Sequence, residues 1–169
     1  MKFKYLRLDR KNRAQYEKSI AELEKIASYP LGGDRFTIDH GADYFAFFDR
    51  LGETIFHIYL DGPKVIAHGA AVLRSISNLD KKNQKVWYLC DLKVHPDYRG
   101  AGIPIKMANR GFLRSLWTSR RFYGISMDQP NQKQNRVAKL LNRFKWLPIN
   151  VEGGLEIYQL SLEQLNKLD

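Results

Sequence analysis

One continuous stretch, residues 86–106 (VWYLCDLKVHPDYRGAGIPIK), restricts the folds open to this chain more than any other part of the sequence. Residues 86–94 are apolar on both alternating faces in their first half, which predicts a central strand covered on both sides. Pro96 ends the strand, and Gly100 and Gly102 then permit positive φ angles and a close approach of the main chain. Pro104 suits the first position of a helix. The stretch therefore predicts a strand, a glycine turn and a helix in direct succession.

This junction between strand and helix predicts a binding site for an anion. The first main-chain N–H groups of a helix have no acceptor within it, and the helix dipole adds partial positive charge at the same end. Arg99 and Lys106 add full charges, so a phosphate or pyrophosphate would be held well there. The P-loop pattern is absent, and Ile105 replaces the third glycine of a dinucleotide-binding turn. The alternative is a loop in which the glycines only turn the chain.

The other periodic segments predict one α/β (α+β) domain over residues 1–169, with a mixed central sheet of about six to seven strands and helices on both faces. Strands are predicted within residues 1–9, 86–94, 121–127 and 155–162, a hairpin within 54–76, and helices within 11–28, 104–118 and 131–144. Residues 43–52 (DYFAFFDRLG) predict a short helix closed by Gly52. The core-facing residues of the helix over 104–118 are expected to be Ile105, Ala108, Phe112, Leu113, Leu116 and Trp117.

Charge and cysteine content limit the classes of function. The net charge of +10 attracts anions without identifying them, and Arg120 and Arg121 keep a basic nucleic-acid-binding protein open as an alternative. No DNA- or RNA-binding module pattern is present, so a nucleic-acid partner is not favoured. Cys90 is the single cysteine, and no apolar run resembles a signal peptide or a membrane span, which predicts a cytoplasmic protein without a membrane partner. The four histidines lack metal-ligand spacing, so no metal is expected.

The segment LKVHPDYRGAGI resembles motif A of the GNAT N-acetyltransferases, in which a strand is followed by V-x-P-x-[FY]-R-G-x-G-[IL] and a helix. The matching residues are Val94, Pro96, Tyr98, Arg99, Gly100, Gly102 and Ile103. Residues 135–141 (NRVAKLL) are similar to the later helix motif of the family, N-x-x-A-x-x-L. The order of elements also agrees, so the resemblance covers essentially the whole chain.

The resemblance implies a splayed pair of parallel strands that binds acetyl-CoA, or another acyl-CoA, as a co-substrate. It implies transfer of the acyl group to a primary amine of a small molecule or peptide, by direct attack in a ternary complex, and it leaves a homodimer open. By carry-over, the main chain of Leu92 and Val94 pairs with the pantetheine arm, and Asn135 lies beside that arm or the sulfur. The pyrophosphate is assigned to Arg99, Gly100, Ala101, Gly102, Ile103, Pro104 and Lys106.

Two departures from the family pattern affect the cofactor and the general acid. The family turn usually ends in Gly or Ala, whereas Pro104 has no N–H to donate. A charge-assisted hydrogen bond is worth roughly 1.5–3 kcal/mol, so binding would weaken about tenfold or more unless Lys106 offsets the loss. Asn142 stands where many members have a tyrosine that protonates the departing thiolate, which leaves Tyr158 or water as the candidate acid. These departures leave open a catalytically degenerate acyl-CoA-binding module.

Asp91 is the candidate general base. It lies on the central strand three residues before Val94, and acidic residues near this place serve as bases in some relatives. The alternative is a structural aspartate paired with Lys93. Cys90 is expected to be an inert buried thiol. His68 is a candidate for the wall of the acceptor pocket, and the favoured alternative is a sheet histidine whose ring nitrogens are satisfied by hydrogen bonds.

The aromatic segment 43–52 is the candidate wall of the acceptor site. Aromatic faces bind cationic amines, and Asp43 and Asp49 add negative charge. Packing of the same aromatic rings in the core is the favoured alternative.

Overall fold

The strands form one large sheet and a small ribbon in the computed structural model, which describes residues 3–31, 34–77 and 83–125. Numbered along the chain, they are β1 (Lys4–Leu8), β2 (Tyr29–Leu31), β3 (Asp34–Phe36), β4 (Glu53–Asp61), β5 (Lys64–Ser77), β6 (Asn83–Val94) and β7 (Phe122–Gly124). Within the described ranges the large sheet is five-stranded, in the order β1–β4–β5–β6–β7, and β6 and β7 are its parallel pair. The ribbon of β2 and β3 was not predicted, because its three-residue strands carry too short a pattern.

Helices cover both faces of the large sheet, as predicted. Helices α1 (Glu17–Ile26) and α2 (Ala46–Leu51) pack on one face, and α3 (Ile103–Ser115) packs on the other. Successive strand residues point to opposite faces. Phe56 and Ile58 of β4 therefore join the core on the α1 face, whereas Tyr59 joins the core on the α3 face. None of the helices in the described chain is long and apolar enough to cross a membrane.

The first two helices follow the predicted segments with shorter bounds. A 3-10 turn, Ala14–Tyr16, precedes α1 and occupies part of the predicted helix. The aromatic segment forms α2, and Gly52 follows it as predicted. A Cβ atom at Gly52 would lie 2.3 Å from the carbonyl oxygen of Leu73, so the close approach to β5 at this point requires glycine. Tyr44, Phe45 and Phe48 are buried in the core on the α1 face.

Among the side chains of α3 that the structure describes, Ile103, Met107 and Gly111 are buried, spaced four residues apart. The predicted core residues Ile105 and Ala108 are half-buried, and the side chains of Phe112 and Leu113 lie outside the described part. The prediction is wrong at Trp117, which lies beyond the end of the helix and is 92% exposed. The helix begins at Ile103, so Pro104 occupies its second position and not the first. A Cβ atom at Gly111 would lie 2.8 Å from Cε1 of His57. Glycine therefore marks the face that approaches β4 most closely, which an apolar pattern does not reveal.

A β-bulge interrupts the pairing of β6 with β5 at the point that matters for function. The register runs from Ala70 opposite Cys90 to His68 opposite Lys93, so an extra residue is inserted on β6. Asp91 lies in this insertion with a φ of 55°, a left-handed conformation that non-glycine residues seldom adopt. Cys90 and Lys93 are three residues apart and yet both lie on the α1 face. The bulge thus changes the alternation of side chains just before the glycine turn.

Beyond the bulge, β6 has no parallel neighbour among the described residues. The pairing with β7 consists of Trp87 with Phe122, Tyr88 with Tyr123 and Leu89 with Gly124, while β6 continues to Val94. The described pairing with β7 thus ends at Leu89, close to the end of the described range, and the predicted splayed pair stays a prediction. The expectation that β6 is covered on both sides is wrong at Leu89 and Leu92, which are 39% and 43% exposed. The predicted helix over 131–144 and strand over 155–162 lie outside the described residues, as does the total strand count.

Candidate functional site

The glycine turn after β6 has the backbone conformation that the sequence predicts. Gly100 and Gly102 have φ angles of 86° and 69°, which favour glycine strongly. A Cβ atom at either position would meet no heavy atom of the described residues within 4 Å. The glycines are therefore required by the path of the chain and not by a close contact.

The start of α3 presents main-chain N–H groups toward this turn. Lys106 donates its main-chain N–H to the carbonyl oxygen of Gly102 over 3.1 Å, which is the first bond of the helical pattern. The main-chain N–H groups of Ile103 and Ile105 lie in the first turn of the helix, where they have no acceptor within it. Pro104 has no N–H at all. The ammonium of Lys106 donates to the carbonyl of Ala101 over 3.1 Å, which holds the lysine over the turn. These groups and the exposed Arg99 fit a diphosphate, with one amide fewer than the family pattern supplies.

Residues of the β4–β5 hairpin hold the turn in place through three contacts. The hydroxyl of Tyr98 donates to Asp61 Oδ2 over 2.8 Å, and the main-chain N–H of His95 donates to the carbonyl of Ile66 over 2.9 Å. Lys64 Nζ lies 3.0 Å from His95 Nε2. His95 is therefore part of the turn, and these contacts join the turn to the β4–β5 hairpin.

A cluster of buried ionisable side chains lies on the α1 face beside the bulge. We call it the polar cluster; it consists of Glu24 from α1, Tyr44, His68 from β5, and Asp91 and Lys93 from β6. The ammonium of Lys93 donates to Asp91 Oδ1 over 2.7 Å and also to Glu24 Oε1. The hydroxyl of Tyr44 donates to Asp91 Oδ2 and lies 3.1 Å from Glu24 Oε1. The predicted pairing of Asp91 with Lys93 is thus present, inside a larger network.

His68 occupies the innermost position of the polar cluster. Its side chain is fully buried, and its two ring nitrogens face two different carboxylates. Nε2 lies 3.5 Å from Glu24 Oε1, and Nδ1 lies 3.7 Å from Asp91 Oδ2. Within the described residues neither nitrogen has a hydrogen-bond partner, and neither has Glu24 Oε2. Both distances lie within the range of ion pairs and slightly exceed the usual length of a hydrogen bond.

The charges in the polar cluster favour the ionised forms of the Asp91 carboxyl and the Lys93 amine. Burial alone would raise the pKa of Asp91, but the charges of His68 and Lys93 and the hydrogen bonds from Lys93 and Tyr44 bring that pKa below its usual value. Burial alone would lower the pKa of Lys93, but the charge of Asp91 and hydrogen bonds to Asp91 and Glu24 raise it. Burial and the nearby carboxylates raise the pKa of Tyr44, so its hydroxyl keeps its proton. The arrangement thus favours an ionised Asp91 carboxylate and a protonated Lys93 amine, paired in the interior.

Glu24 and Tyr44 were not predicted as site residues. Glu24 lies four residues after the core residue Ile20 on α1, so its position on the buried stripe was the available signal. Tyr44 is one of several aromatic residues in its segment, and nothing in the pattern separates it from its core neighbours. The polar cluster also brings ligand atoms of Glu24, His68 and Asp91 within 4.8 Å of one another, although their sequence spacing indicated no metal site. The ammonium of Lys93 already lies between the two carboxylates.

The aspartates of the aromatic segment have structural partners. Asp49 forms a two-point ion pair with the guanidinium of Arg13, at 2.7 and 2.6 Å. Asp43 Oδ1 accepts the main-chain N–H groups of Phe45 and Ala46, at 2.9 and 3.1 Å, at the start of α2. The favoured alternative of core packing therefore describes most of this segment.

The other predicted site residues are distributed between the open edge and the undescribed part of the chain. Leu92 and Val94 lie on β6 beyond the point where β7 ends. Cys90 is half-buried, and burial together with the charge of Asp91 raises the pKa of its thiol to about 12. Asn135, Asn142 and Tyr158 lie outside the described residues.

Comparison with known proteins relates the chain to acetyltransferases through structure alone. No protein-family model and no curated protein sequence matches it. A protein from Clostridium acetobutylicum, described as a predicted acetyltransferase and solved with acetyl-CoA, superposes with a TM-score of 0.60 at 15% identity, over 93% of this chain and 96% of that one. AAC(6')-Iy bound to the bisubstrate analogue CoA-S-monomethyl-acetylneamine superposes with a TM-score of 0.58 at 11% identity, over 95% and 99%. The aminoglycoside 6'-N-acetyltransferase AAC(6')-Ih from Acinetobacter baumannii superposes with a TM-score of 0.55 at 12% identity, over 95% and 99%. The chain therefore shares the fold of these solved acetyltransferases, as the resemblance to motif A implied.

Proposed function

We propose that this protein is an N-acetyltransferase that moves an acetyl group, or another acyl group, from acyl-CoA to a primary amine. The observation that carries the proposal is the glycine turn at the end of a bulged central strand, directly before a helix. Solved proteins of the same fold that contain acetyl-CoA or a CoA-based analogue support the choice of co-substrate. A further solved protein of this fold, an aminoglycoside 6'-N-acetyltransferase, supports an amine as the acceptor.

In this proposal the coenzyme lies along the open edge of β6. The main chain of Leu92 and Val94 pairs with the pantetheine arm, and Asn135 lies beside that arm. The pyrophosphate lies against the turn from Arg99 to Pro104, where the N–H groups of the helix start and the ammonium of Lys106 donate to it. The positive φ angles of Gly100 and Gly102 support this placement, because they allow the main chain to face a ligand without side chains in between.

The chemistry requires few side chains. Holding the amine close to the thioester carbonyl supplies much of the rate enhancement, and a main-chain N–H of the splayed strand can polarise the carbonyl oxygen. The amine nitrogen forms a C–N bond as the C–S bond breaks, and the thiolate leaves. We assign to Asp91 the proton that the amine loses, and to Tyr158 or water the proton that the thiolate gains. The ionised state of Asp91 supports its role, since a protonated acid could not accept a proton.

A catalytically degenerate acyl-CoA-binding module is the second candidate function. Pro104 favours it, because the second residue of α3 cannot donate a hydrogen bond to a phosphate. This alternative predicts acetyl-CoA binding without acyl transfer to any amine.

A thermal-shift screen with acetyl-CoA and longer acyl-CoAs, followed by thiol-release assays over a panel of primary amines, tests the proposal. We expect acetyl-CoA to raise the melting temperature and at least one amine to release free coenzyme A. Arg99→Ala should weaken the thermal shift, whereas Arg50→Ala, which removes an exposed arginine from α2, should leave it unchanged. Absence of any stabilisation by acyl-CoA would overturn the proposal, and stabilisation without thiol release would favour the degenerate module.

A further inference from the structure

We infer that His68 is a positioning residue for the candidate base Asp91: it takes over the proton that Asp91 accepts, and Glu24 orients its imidazole for this purpose. The inference rests on the proposed acyl transfer at the same site and adds to it a group that holds the proton during the reaction. It comes from the charges, the distances and the burial of the polar cluster.

The charge balance of the polar cluster depends on His68. Glu24 and Asp91 carry two negative charges and Lys93 carries one positive charge, so a neutral imidazole leaves the cluster with one uncompensated negative charge. An imidazolium makes the total zero. Glu24, His68 and Lys93 are 6%, 0% and 4% exposed, and an uncompensated charge at such depth is costly. The neutral form of His68 therefore leaves a cluster that is ready to accept one proton.

The contacts of the two ring nitrogens define which one receives that proton. Both oxygens of Asp91 already accept hydrogen bonds, one from Lys93 and one from Tyr44. Glu24 Oε2 has no donor among the described residues, and Glu24 Oε1 lies 3.5 Å from Nε2. In the neutral imidazole the hydrogen therefore belongs on Nε2, toward Glu24. The lone pair of Nδ1 then faces Asp91 Oδ2 at 3.7 Å.

The proton transfer is balanced without a further reagent. An N–H bond of the acceptor ammonium breaks as an O–H bond forms on Asp91. That O–H bond then breaks as an N–H bond forms on Nδ1 of His68, which becomes an imidazolium and leaves Asp91 ionised again. The free amine attacks the thioester, and the second proton of its nitrogen passes through water to the departing thiolate as the amide forms. The imidazolium returns its proton to solvent after the product leaves.

The groups that face His68 support a proton store over a purely structural role. Glu24 faces it from α1, Asp91 and Lys93 face it from β6, and the ring of Tyr44 meets it edge-on with centroids 6.0 Å apart. Imidazole is the side chain whose charge ordinarily changes near neutral pH. A carboxylate surrounded by donors is a weak proton acceptor by itself, and a neighbouring imidazole corrects this weakness.

Nitrogen-15 spectroscopy of the histidine rings in the full chain tests the inference without any acceptor. His68→Gln assigns the His68 signals. We expect the neutral ring to carry its hydrogen on Nε2, and we expect both Asp91→Asn and Glu24→Gln to shift its protonation to lower pH, because each removes a negative charge beside it. A neutral ring with its hydrogen on Nδ1, or a titration that neither variant moves, would overturn the inference.

The pH profile of thiol release provides the kinetic test with the amine that reacts fastest in the panel. We expect the wild-type kcat to rise with pH as His68 loses its proton, and His68→Gln to remove this step and lower kcat at pH 7 by about tenfold or more, with acetyl-CoA binding unchanged. His57→Gln is the matched control, since His57 is also a buried strand histidine but lies on the α3 face beside Gly111. An unchanged profile in His68→Gln would contradict the role.

The two proposals fail in different ways. If no amine releases thiol, acyl transfer fails, while the ring spectra still decide whether His68 and Asp91 share a proton. If His68→Gln does not fold, the pH profile of Glu24→Gln provides the second test, because this variant removes the partner of Nε2 and leaves the imidazole in place. The rise of kcat should then move to lower pH, and an unmoved rise would contradict the role.

Discussion

The ammonium nitrogen of Lys93 lies 2.7 Å from Oδ1 of Asp91, on the other side of the bulge in β6. Their side chains are 3% and 6% exposed, so neither charge has water as an alternative partner. The bulge creates the pair, because it places Asp91 in a left-handed conformation just before Lys93. The main-chain bulge thus determines where the charged groups of the candidate site lie.

Removal of Lys93 should destabilise the protein strongly. In Lys93→Met, two buried carboxylates lose their positive partner, and breaking a buried pair from one side costs about 3–5 kcal/mol. Urea denaturation measures the free energy of unfolding. Lys85→Met, which removes an exposed lysine from the same strand, should change it by less than about 0.5 kcal/mol. Equal effects of the two substitutions would contradict the buried pair.

The stability of the protein should fall in acid through Asp91. The pKa of Asp91 is lowered in the folded state, so its contribution is present above the ordinary pKa of 3.8 and is lost as the pH falls through the lower folded value. The free energy of unfolding should therefore decrease below about pH 4. Asp91→Asn should flatten this decrease. Asp97→Asn, whose side chain is 77% exposed, is the control, and identical slopes in the two variants would disprove the assignment.

Substitution of Gly102 should show separately how its backbone conformation affects the free energy of unfolding and how the residue affects coenzyme binding. Gly102 and Gly62 both have positive φ angles, 69° and 57°, and a Cβ atom at either would contact nothing within 4 Å. Alanine should therefore lower the free energy of unfolding by about 1–2 kcal/mol at each position. Gly102→Ala should in addition weaken acetyl-CoA binding by about tenfold in calorimetry, as the loss of one charge-assisted hydrogen bond would. Comparable coenzyme affinities in both variants would show that the turn at Gly102 does not hold the coenzyme.

Cys90 should be unreactive in the folded protein. Burial and the charge of Asp91 raise the pKa of its thiol to about 12, so very little thiolate is present at neutral pH. Labelling with a disulfide reagent at pH 8 should be at least about a hundredfold slower than for free cysteine, and urea should remove the difference. Rapid labelling of the native protein would make Cys90 a candidate nucleophile again.

The parts of the fold that could be predicted have patterns that repeat over many residues. The hairpin of β4 and β5, the central strand and the glycine turn were all visible, because periodicity and turn chemistry act locally. The buried face of α3 could not be predicted in the same way. Its buried face is marked by Gly111, whose significance depends on the ring of His57 on another strand.

The candidate site could be predicted where its residues lie together in one segment of the sequence. Arg99, Gly100 and Gly102 are adjacent in the chain, and their motif indicates a phosphate site directly. The polar cluster joins residues that are far apart in the sequence, with Glu24 and Lys93 separated by 69 positions. Asp91 could be identified from its place on the strand, but its contact with His68 depends on the bulge, which no local pattern announced.

A crystal structure of the protein with coenzyme A tests the central claim most directly. We predict that the diphosphate lies within hydrogen-bond distance of main-chain N–H groups between Gly100 and Ile105, with Lys106 beside it and the pantetheine arm along β6 past Leu92. A diphosphate bound elsewhere on the chain, or a turn filled by the protein's own side chains in the presence of saturating coenzyme A, would contradict the account.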